Sequence, residues 1–240
     1  MAGSENKGIL YERILNNNLK KAGVQKKSFQ PAGSDSNAPD AEITYNGIDY
    51  KVEVKLDLNV DFGQGSLDFD LGTANKKGKG WILGGAKTAS AEQMREFLTA
   101  IGVTKIVTEE WGSQPPRKFT VPTSQYKKSD VDYDYKNFKD KFVDIPSNSV
   151  AKYYNSKKTY YIQIGGYGLY YMGIDKAKLG VPEFNLQLRL RIRLKRGGST
   201  PIYNYRFTTA IQAKKGTLKK SDADLDNLDY LKALKARSTK

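Results

Sequence analysis

The chain is 240 residues long and carries forty Lys/Arg against twenty-six Asp/Glu, a net charge of +14. It has no histidine and no cysteine, which excludes Ser-His-Asp and Cys-His nucleophiles, imidazole or thiolate zinc sites, His-Asn-His nucleases and any disulfide framework. Hydrophobic residues make up 38%, with sixteen Tyr and nine Phe, enough for a folded core, while no apolar run approaches the roughly 20 residues that cross a bilayer. Acid–base chemistry therefore falls to carboxylates, Lys or Tyr, with or without a metal ion. The first residues lack a signal-peptide layout, so a cytoplasmic chain with no membrane partner is expected.

Residues 4–22 read as a helix. Ser4 would cap it and Glu5 suits its first turn. Ile9, Leu10, Ile14, Leu15 and Leu19 form its apolar stripe, and Gly23 is its stop. A Pro/Gly/Ser/Asn loop follows over 30–38. Asn46-Gly47 between two β-type runs then predicts a two-residue hairpin turn, with strands over 41–45 and 48–56. In that register Tyr45 faces Ile48, Thr44 faces Asp49, Ile43 faces Tyr50, Glu42 faces Lys51, and Asp40 faces Glu53. The face bearing Ala41, Ile43, Tyr45, Ile48, Tyr50, Val52, Val54 and Leu56 is almost wholly apolar and belongs on a core, so burial fixes the register as well as the turn.

The other face is polar, and one pair in it is repulsive. Glu42–Lys51 and Thr44–Asp49 are compatible, whereas Asp40 and Glu53 would be opposed carboxylates with Cβ atoms about 5 Å apart. Lys55 lies one pleat further on. Opposed like charges destabilise a sheet, and a hard divalent cation between them removes the repulsion.

Further along, a third strand is expected near 66–71, a basic glycine-rich loop over 72–80, and a short strand over 81–83. A helix should run from a Ser90 cap to 101, with Met94, Phe97, Leu98 and Ile101 on one face, followed by a strand over 105–108. The second half reads as β-rich. It has a short helix near 147–155 and strands over 160–164 and 169–172 around Gly165-Gly166. Residues 186–195 alternate cleanly, with Leu188, Leu190, Ile192 and Leu194 on one face and Arg189, Arg191, Arg193 and Lys195 on the other. A strand over 203–213 would pair with it across Gly197-Gly198. From Ser221 the tail reads as a capped amphipathic helix with Leu225, Leu228, Leu231 and Leu234.

Charge is uneven. Residues 181–240 hold fourteen Lys/Arg against five Asp/Glu, an asymmetry that points to a polyanion, nucleic acid first. A strand of arginines suits phosphate or guanine contact, which makes Arg189, Arg191, Arg193, Lys195 and Arg196 candidate DNA-binding residues. Lys76, Lys77 and Lys79 are candidates to clamp phosphate. Ten of the tyrosines fall in 126–171; they can stack on bases, though strand packing is their commoner use.

Asp40 followed by Glu53-x-Lys55 on the next strand of a hairpin resembles the PD-(D/E)xK nuclease superfamily, which includes many restriction enzymes, resolvases and phage or homing nucleases. The order helix, three strands, helix, strand over residues 1–108 is similar to that family's core, and Glu12 matches the glutamate its first helix often adds. The resemblance implies an α/β (α+β) fold with a restriction-endonuclease-like core, a mixed central sheet flanked by helices. It divides the chain into a nuclease core over 1–110, a β-rich, basic DNA-binding extension over 111–220 and a C-terminal helical tail over 221–240.

In function it implies a Mg²⁺-dependent DNA endonuclease, with Mn²⁺ as a substitute, acting on double-stranded DNA inside a bacterial or phage-infected cell, as a homodimer in many members. Asp40 would be the central metal ligand and Glu53 the second, with the Val54 carbonyl as a third. Glu12 would hold a further ion or its water. Lys55 would orient or deprotonate the attacking water, and Gln64 is a weaker candidate for positioning it. The competing interpretation is a non-catalytic DNA- or RNA-binding protein. In it Asp40, Glu53 and Lys55 belong to a solvated salt-bridge ladder, and the arginine strand is an edge guarded by charge.

Overall fold

A computed structural model describes residues 6–31, 38–85, 87–196, 205–214 and 218–238. The first helix, α1 (Lys7–Ala22), is followed by strands β1 (Ala41–Tyr45), β2 (Ile48–Lys55), β3 (Gly63–Thr73) and β4 (Lys76–Leu83). Helices α2 (Ala89–Ile101), α3 (Val103–Trp111), α4 (Arg117–Thr120) and α5 (Lys128–Asn137) precede β5 (Lys141–Asp144). Then come α6 (Ser147–Ser156), β6 (Thr159–Ile164), β7 (Gly168–Tyr171), β8 (Leu188–Arg196), β9 (Tyr205–Ala213) and α7 (Leu228–Ser238). Among the described residues the fold is thus mixed α+β, with two sheets and seven α-helices. None of these helices is long and apolar enough to cross a membrane.

The chain forms two compact units, each discontinuous in sequence. Unit one comprises Met1–Val60, Pro146–Gln187 and Ala213–Lys240; unit two comprises Asp61–Ile145 and Leu188–Gln212. The divisions expected at 110 and 220 do not follow these units. Residue 110 falls inside α3 of unit two, and α7 belongs to unit one.

Unit one is built on a four-stranded sheet in the order β1-β2-β6-β7. The hairpin forms in the expected register, from Ala41↔Val52 to Tyr45↔Ile48. Its turn places Asn46 at φ 49° and Gly47 at φ 76°, the left-handed pair that a type I′ turn requires. The strand beside β2 is not the one expected near 66–71. It is β6, parallel to β2 and pairing from Lys51↔Thr159 to Lys55↔Ile164. A parallel neighbour needs a crossover rather than a turn, and α6 supplies its last leg.

One face of this sheet carries Ala41, Ile43, Val52, Val54 and Tyr161. They pack with Leu15 and Leu19 of α1 and Leu231 and Leu234 of α7 in a single buried cluster. Ile48, at the turn, is exposed instead. So are Ile9, Leu10 and Ile14, because the buried face of α1 is centred on Leu15, Asn16 and Leu19.

Helix ends show how local polar groups override stripe-counting. Asn6 caps α1 by accepting from the Gly8 N–H at 2.9 Å; Ser4 and Glu5 lie outside the described residues. Gly23 stops the helix at φ 70°. Thr88, not Ser90, caps α2. The tail does not become helical at Ser221. Asp224 bonds the Asp226 N–H, which competes with helix, and Asn227 caps α7 by accepting the Asp229 and Tyr230 N–H groups, so the helix begins at Leu228.

Unit two holds a five-stranded sheet in the order β4-β3-β9-β8-β5. The expected 72–80 loop is a hairpin, so Lys76, Lys77 and Lys79 stand exposed on β4. The expected 105–108 strand is part of α3. Its β-branched residues suggested a strand, but Val103, Val107 and Trp111 are all buried at helical spacing. The core is aromatic. Trp81 lies 5.2 Å from both Trp111 and Phe207 and 5.8 Å from Phe138, edge-to-face or tilted as ring quadrupoles prefer.

The leucine face of β8 is buried as expected. Its arginine face is already engaged. The Arg191 guanidinium pairs with Asp140, with Nε 2.8 Å from Oδ2, and Arg193 Nη2 donates to Asp61 Oδ2 at 2.7 Å. The Arg189 guanidinium lies 3.9 Å above the Phe142 ring. Lys195 Nζ donates to Gln64 at 3.3 Å, and Arg196 ends the strand. Glycines 197 and 198, with Tyr203, lie outside the described residues.

Candidate active site

Asp40 closes the loop before β1. Its Oδ2 accepts the Val54 N–H of β2 at 2.9 Å, which ties the carboxylate to the end of the hairpin where Glu53 stands. Its own carbonyl accepts from Asn16 Nδ2 at 2.8 Å. Asn16 is buried on α1 and also donates to the Glu12 carbonyl at 2.8 Å. Gln25 Nε2 donates to Asn16 Oδ1 at 2.7 Å. This amide chain holds the Glu12 turn of α1 against Asp40.

Glu53 and Lys55 project from the opposite face to Val52 and Val54, as strand alternation requires. Lys55 Nζ lies 2.5 Å from Glu53 Oε1, and the two side chains are only 16% and 13% exposed. Tyr154 of α6, fully buried, donates to the same oxygen at 3.2 Å. The Lys55 carbonyl accepts the Gly165 N–H of the β6–β7 turn at 2.9 Å. A Cβ on Gly165 would stand 2.3 Å from the Leu56 carbonyl oxygen, so only glycine permits this approach. Since Lys55 turns its main-chain groups toward β6, Val54 turns its carbonyl toward β1 and Asp40.

Four of the expected residues are therefore one electrostatic group. Burial raises the Glu12 carboxyl to about 7, with Asp40 and Glu53 adding repulsion and Lys55 opposing it. Burial likewise raises Asp40 to about 6, and Glu53 contributes next; Lys55, the Val54 N–H and Lys157 pull the other way. Burial disfavours the Lys55 charge, but Glu53, Asp40 and Glu12 outweigh it and hold the ammonium above the ordinary lysine range. Lys55 is thus held as a cation near neutrality. Glu12 is the group poised to exchange a proton there.

No family model, curated protein or solved structure matches this chain.

Gln64 stands on β3 in unit two, paired with Ala210 of β9. Three further residues belong to the site: Asn16, Tyr154 and Lys157. Asn16 left a trace in the sequence, a polar residue amid the apolar stripe of α1. Tyr154 and Lys157 left none, since only the β2–β6 pairing brings α6 to this face. Lys157 lies 5.5 Å from the Tyr154 ring centre, where it offsets the Asp40 charge.

The donor set suits a hard divalent cation. Asp40, Glu53 and Glu12 repel one another in partial burial, and a cation would relieve that repulsion. Among the described residues no three acidic side chains stand close enough to enclose an ion as they are. The Lys55 ammonium now provides the neutralising charge. Asp40, Glu53 and the Val54 carbonyl are the groups that would hold a Mg²⁺ ion, with Glu12 beside them.

Proposed function

We propose that this chain is a Mg²⁺-dependent DNA endonuclease. The observation that carries the reading is the convergence of Glu12, Asp40, Glu53 and Lys55 on one partly buried, mutually coupled group within a protein of charge +14. A bound Mg²⁺, or Mn²⁺ in its place, would polarise the scissile phosphate and acidify the attacking water. Lys55 contributes positive charge beside the phosphate and orients the water. Glu12 accepts a proton, and Tyr154 keeps Glu53 in place. Unit one also supports the reading of a restriction-endonuclease-like core. A helix bearing Glu12 precedes a hairpin bearing Asp40 and Glu53-x-Lys55, and a helix then leads to a strand parallel to the motif strand. A homodimer, double-stranded substrate and cytoplasmic location belong to the same proposal.

The test is cleavage of circular and linear DNA by purified protein with Mg²⁺, Mn²⁺ or chelator. Nicking or linearisation that stops with chelator is expected. Binding without cleavage under every metal would favour the second reading, a non-catalytic DNA- or RNA-binding protein. One observation speaks for that reading: the close Glu53–Lys55 pair is already neutral without an ion.

Two further outcomes follow. The exposed Lys76, Lys77 and Lys79 are the freer phosphate contacts, since Arg191 and Arg193 are committed to Asp140 and Asp61. Replacing the three lysines with Glu should weaken DNA binding and reduce the slope of log affinity against log salt by about 2–3; an unchanged slope would remove them from the interface. Tyr154→Phe should raise the Mg²⁺ concentration for half-maximal cleavage about tenfold, as loss of a ligand-orienting partner does. No change would reduce Tyr154 to packing.

A further inference from the structure

Unit two contains a cleft of about 310 Å³ bounded by β3, β4, α2, β8 and β9. Three exposed cations, Arg95, Lys195 and Arg206, converge on its rim. Among the described residues neither guanidinium has an ion-pair partner, and Lys195 has only the neutral Gln64. Three cations against one carboxylate suit an anionic ligand. Asp68 offsets them in part: its Oδ2 would lie 3.2 Å from a Cβ on Gly84.

The wall behind the rim is polar on one side. Thr208 lines the cleft and is 5% exposed, yet among the described residues its hydroxyl has no hydrogen-bond partner. A buried hydroxyl left unpaired is costly, and a ligand acceptor or donor would satisfy it. Ser66 stands beside it in the ladder, paired with Thr208. Gly84 keeps this wall flat, since a Cβ there would stand 2.8 Å from the Ser66 Oγ. The remaining side is apolar, formed by Leu83, Met94 and Leu98.

We propose that this cleft is a nucleotide-binding site. The phosphate lies on Arg95, Lys195 and Arg206, the base or sugar lies on Leu83 and Met94, and Thr208 with Ser66 bonds the polar edge. Cationic rim, unpaired hydroxyl and apolar wall together match a phosphate carried on a flat, largely apolar body. The nucleotide is either free in solution or part of a nucleic-acid strand. Gln64 then acts here, holding Lys195.

The experiment is equilibrium binding of dAMP, inorganic phosphate and a short DNA single strand to the full chain in EDTA. It reads no cleavage and needs no metal, so it succeeds or fails independently of the nuclease reading. Arg206→Ala should lower affinity about tenfold or more. Thr208→Val should lower it severalfold while raising the melting temperature, because it removes the unpaired hydroxyl without changing shape. Lys105→Ala, a remote exposed lysine, should change nothing. Binding of dAMP with this sensitivity identifies a free nucleotide, and binding of the strand alone identifies a strand nucleotide. Absence of both, or binding indifferent to Arg206→Ala and Thr208→Val, overturns the proposal, as does a lower melting temperature for Thr208→Val.

Discussion

Asp40→Asn should make the protein more stable at pH 8 while abolishing its Mg²⁺ response and its cleavage. The sign follows from linkage. Asp40 titrates near 6 in the folded protein against an ordinary 3.8, so between those values the folded state binds more protons than the unfolded one, and stability falls as pH rises through that window. Above it the full penalty of the ionised carboxylate is present, about 1–3 kcal/mol from a shift of this size. The asparagine still accepts the Val54 N–H, so the variant should gain about 2–6 °C in melting temperature at pH 8 and nothing below pH 4.

Mg²⁺ is expected to stabilise the native protein and leave the variant unchanged. At tenfold excess over its dissociation constant it adds about 1.4 kcal/mol to the native protein and nothing to the variant. Thermal denaturation at pH 4 and 8, with and without Mg²⁺, reads all of this without a nuclease assay. A variant less stable than wild type at pH 8, or equally stabilised by Mg²⁺, would falsify the coupled-carboxylate site.

The second large effect is at Lys55. Among the described residues, Lys55→Ala leaves Glu53 with the Tyr154 hydroxyl and removes the cation that moderates Glu12 and Asp40. Breaking a mostly buried pair from one side costs about 3–5 kcal/mol, near the low end here because both side chains keep some solvent. Cleavage should fall about 10²–10⁴-fold. Adding Glu53→Gln separates the two roles: the double variant should recover much of the lost stability, since no orphan charge remains, and none of the activity. Cleavage retained in Lys55→Ala would reject the assignment. Activity recovered along with stability would make the pair purely structural.

The parts of this architecture that were legible in the sequence are local. Asn46-Gly47 sets the turn and thereby every pair of the first hairpin. Alternation set the buried face of β8, and Gly23 set the end of α1. The Asp40–Glu53 juxtaposition was legible because it follows from the turn by counting. What was illegible is mostly long-range. No local pattern announces that β2 takes a strand beginning at Thr159 as its neighbour, yet that pairing brings Tyr154 and Lys157 to the site. Short β-branched runs mislead as well. Val103, Val107 and Trp111 bury one helical face, and the Lys-Ile-Val-Thr between them merely looks extended. The arginine face of β8 was visible, but its acidic partners Asp61 and Asp140 were not.

The long-range closure of unit one fixes an order of events during synthesis. The motif residues Asp40, Glu53 and Lys55 leave the ribosome early, but the hairpin's parallel neighbour is made only after residue 159. The leucines of α7 that complete its core come later still. Contacts so distant in sequence form late, after the entropy of the intervening loop has been overcome. A nascent chain therefore carries its carboxylates unassembled until the strand beginning at Thr159 and the helix beginning at Leu228 have been made and docked.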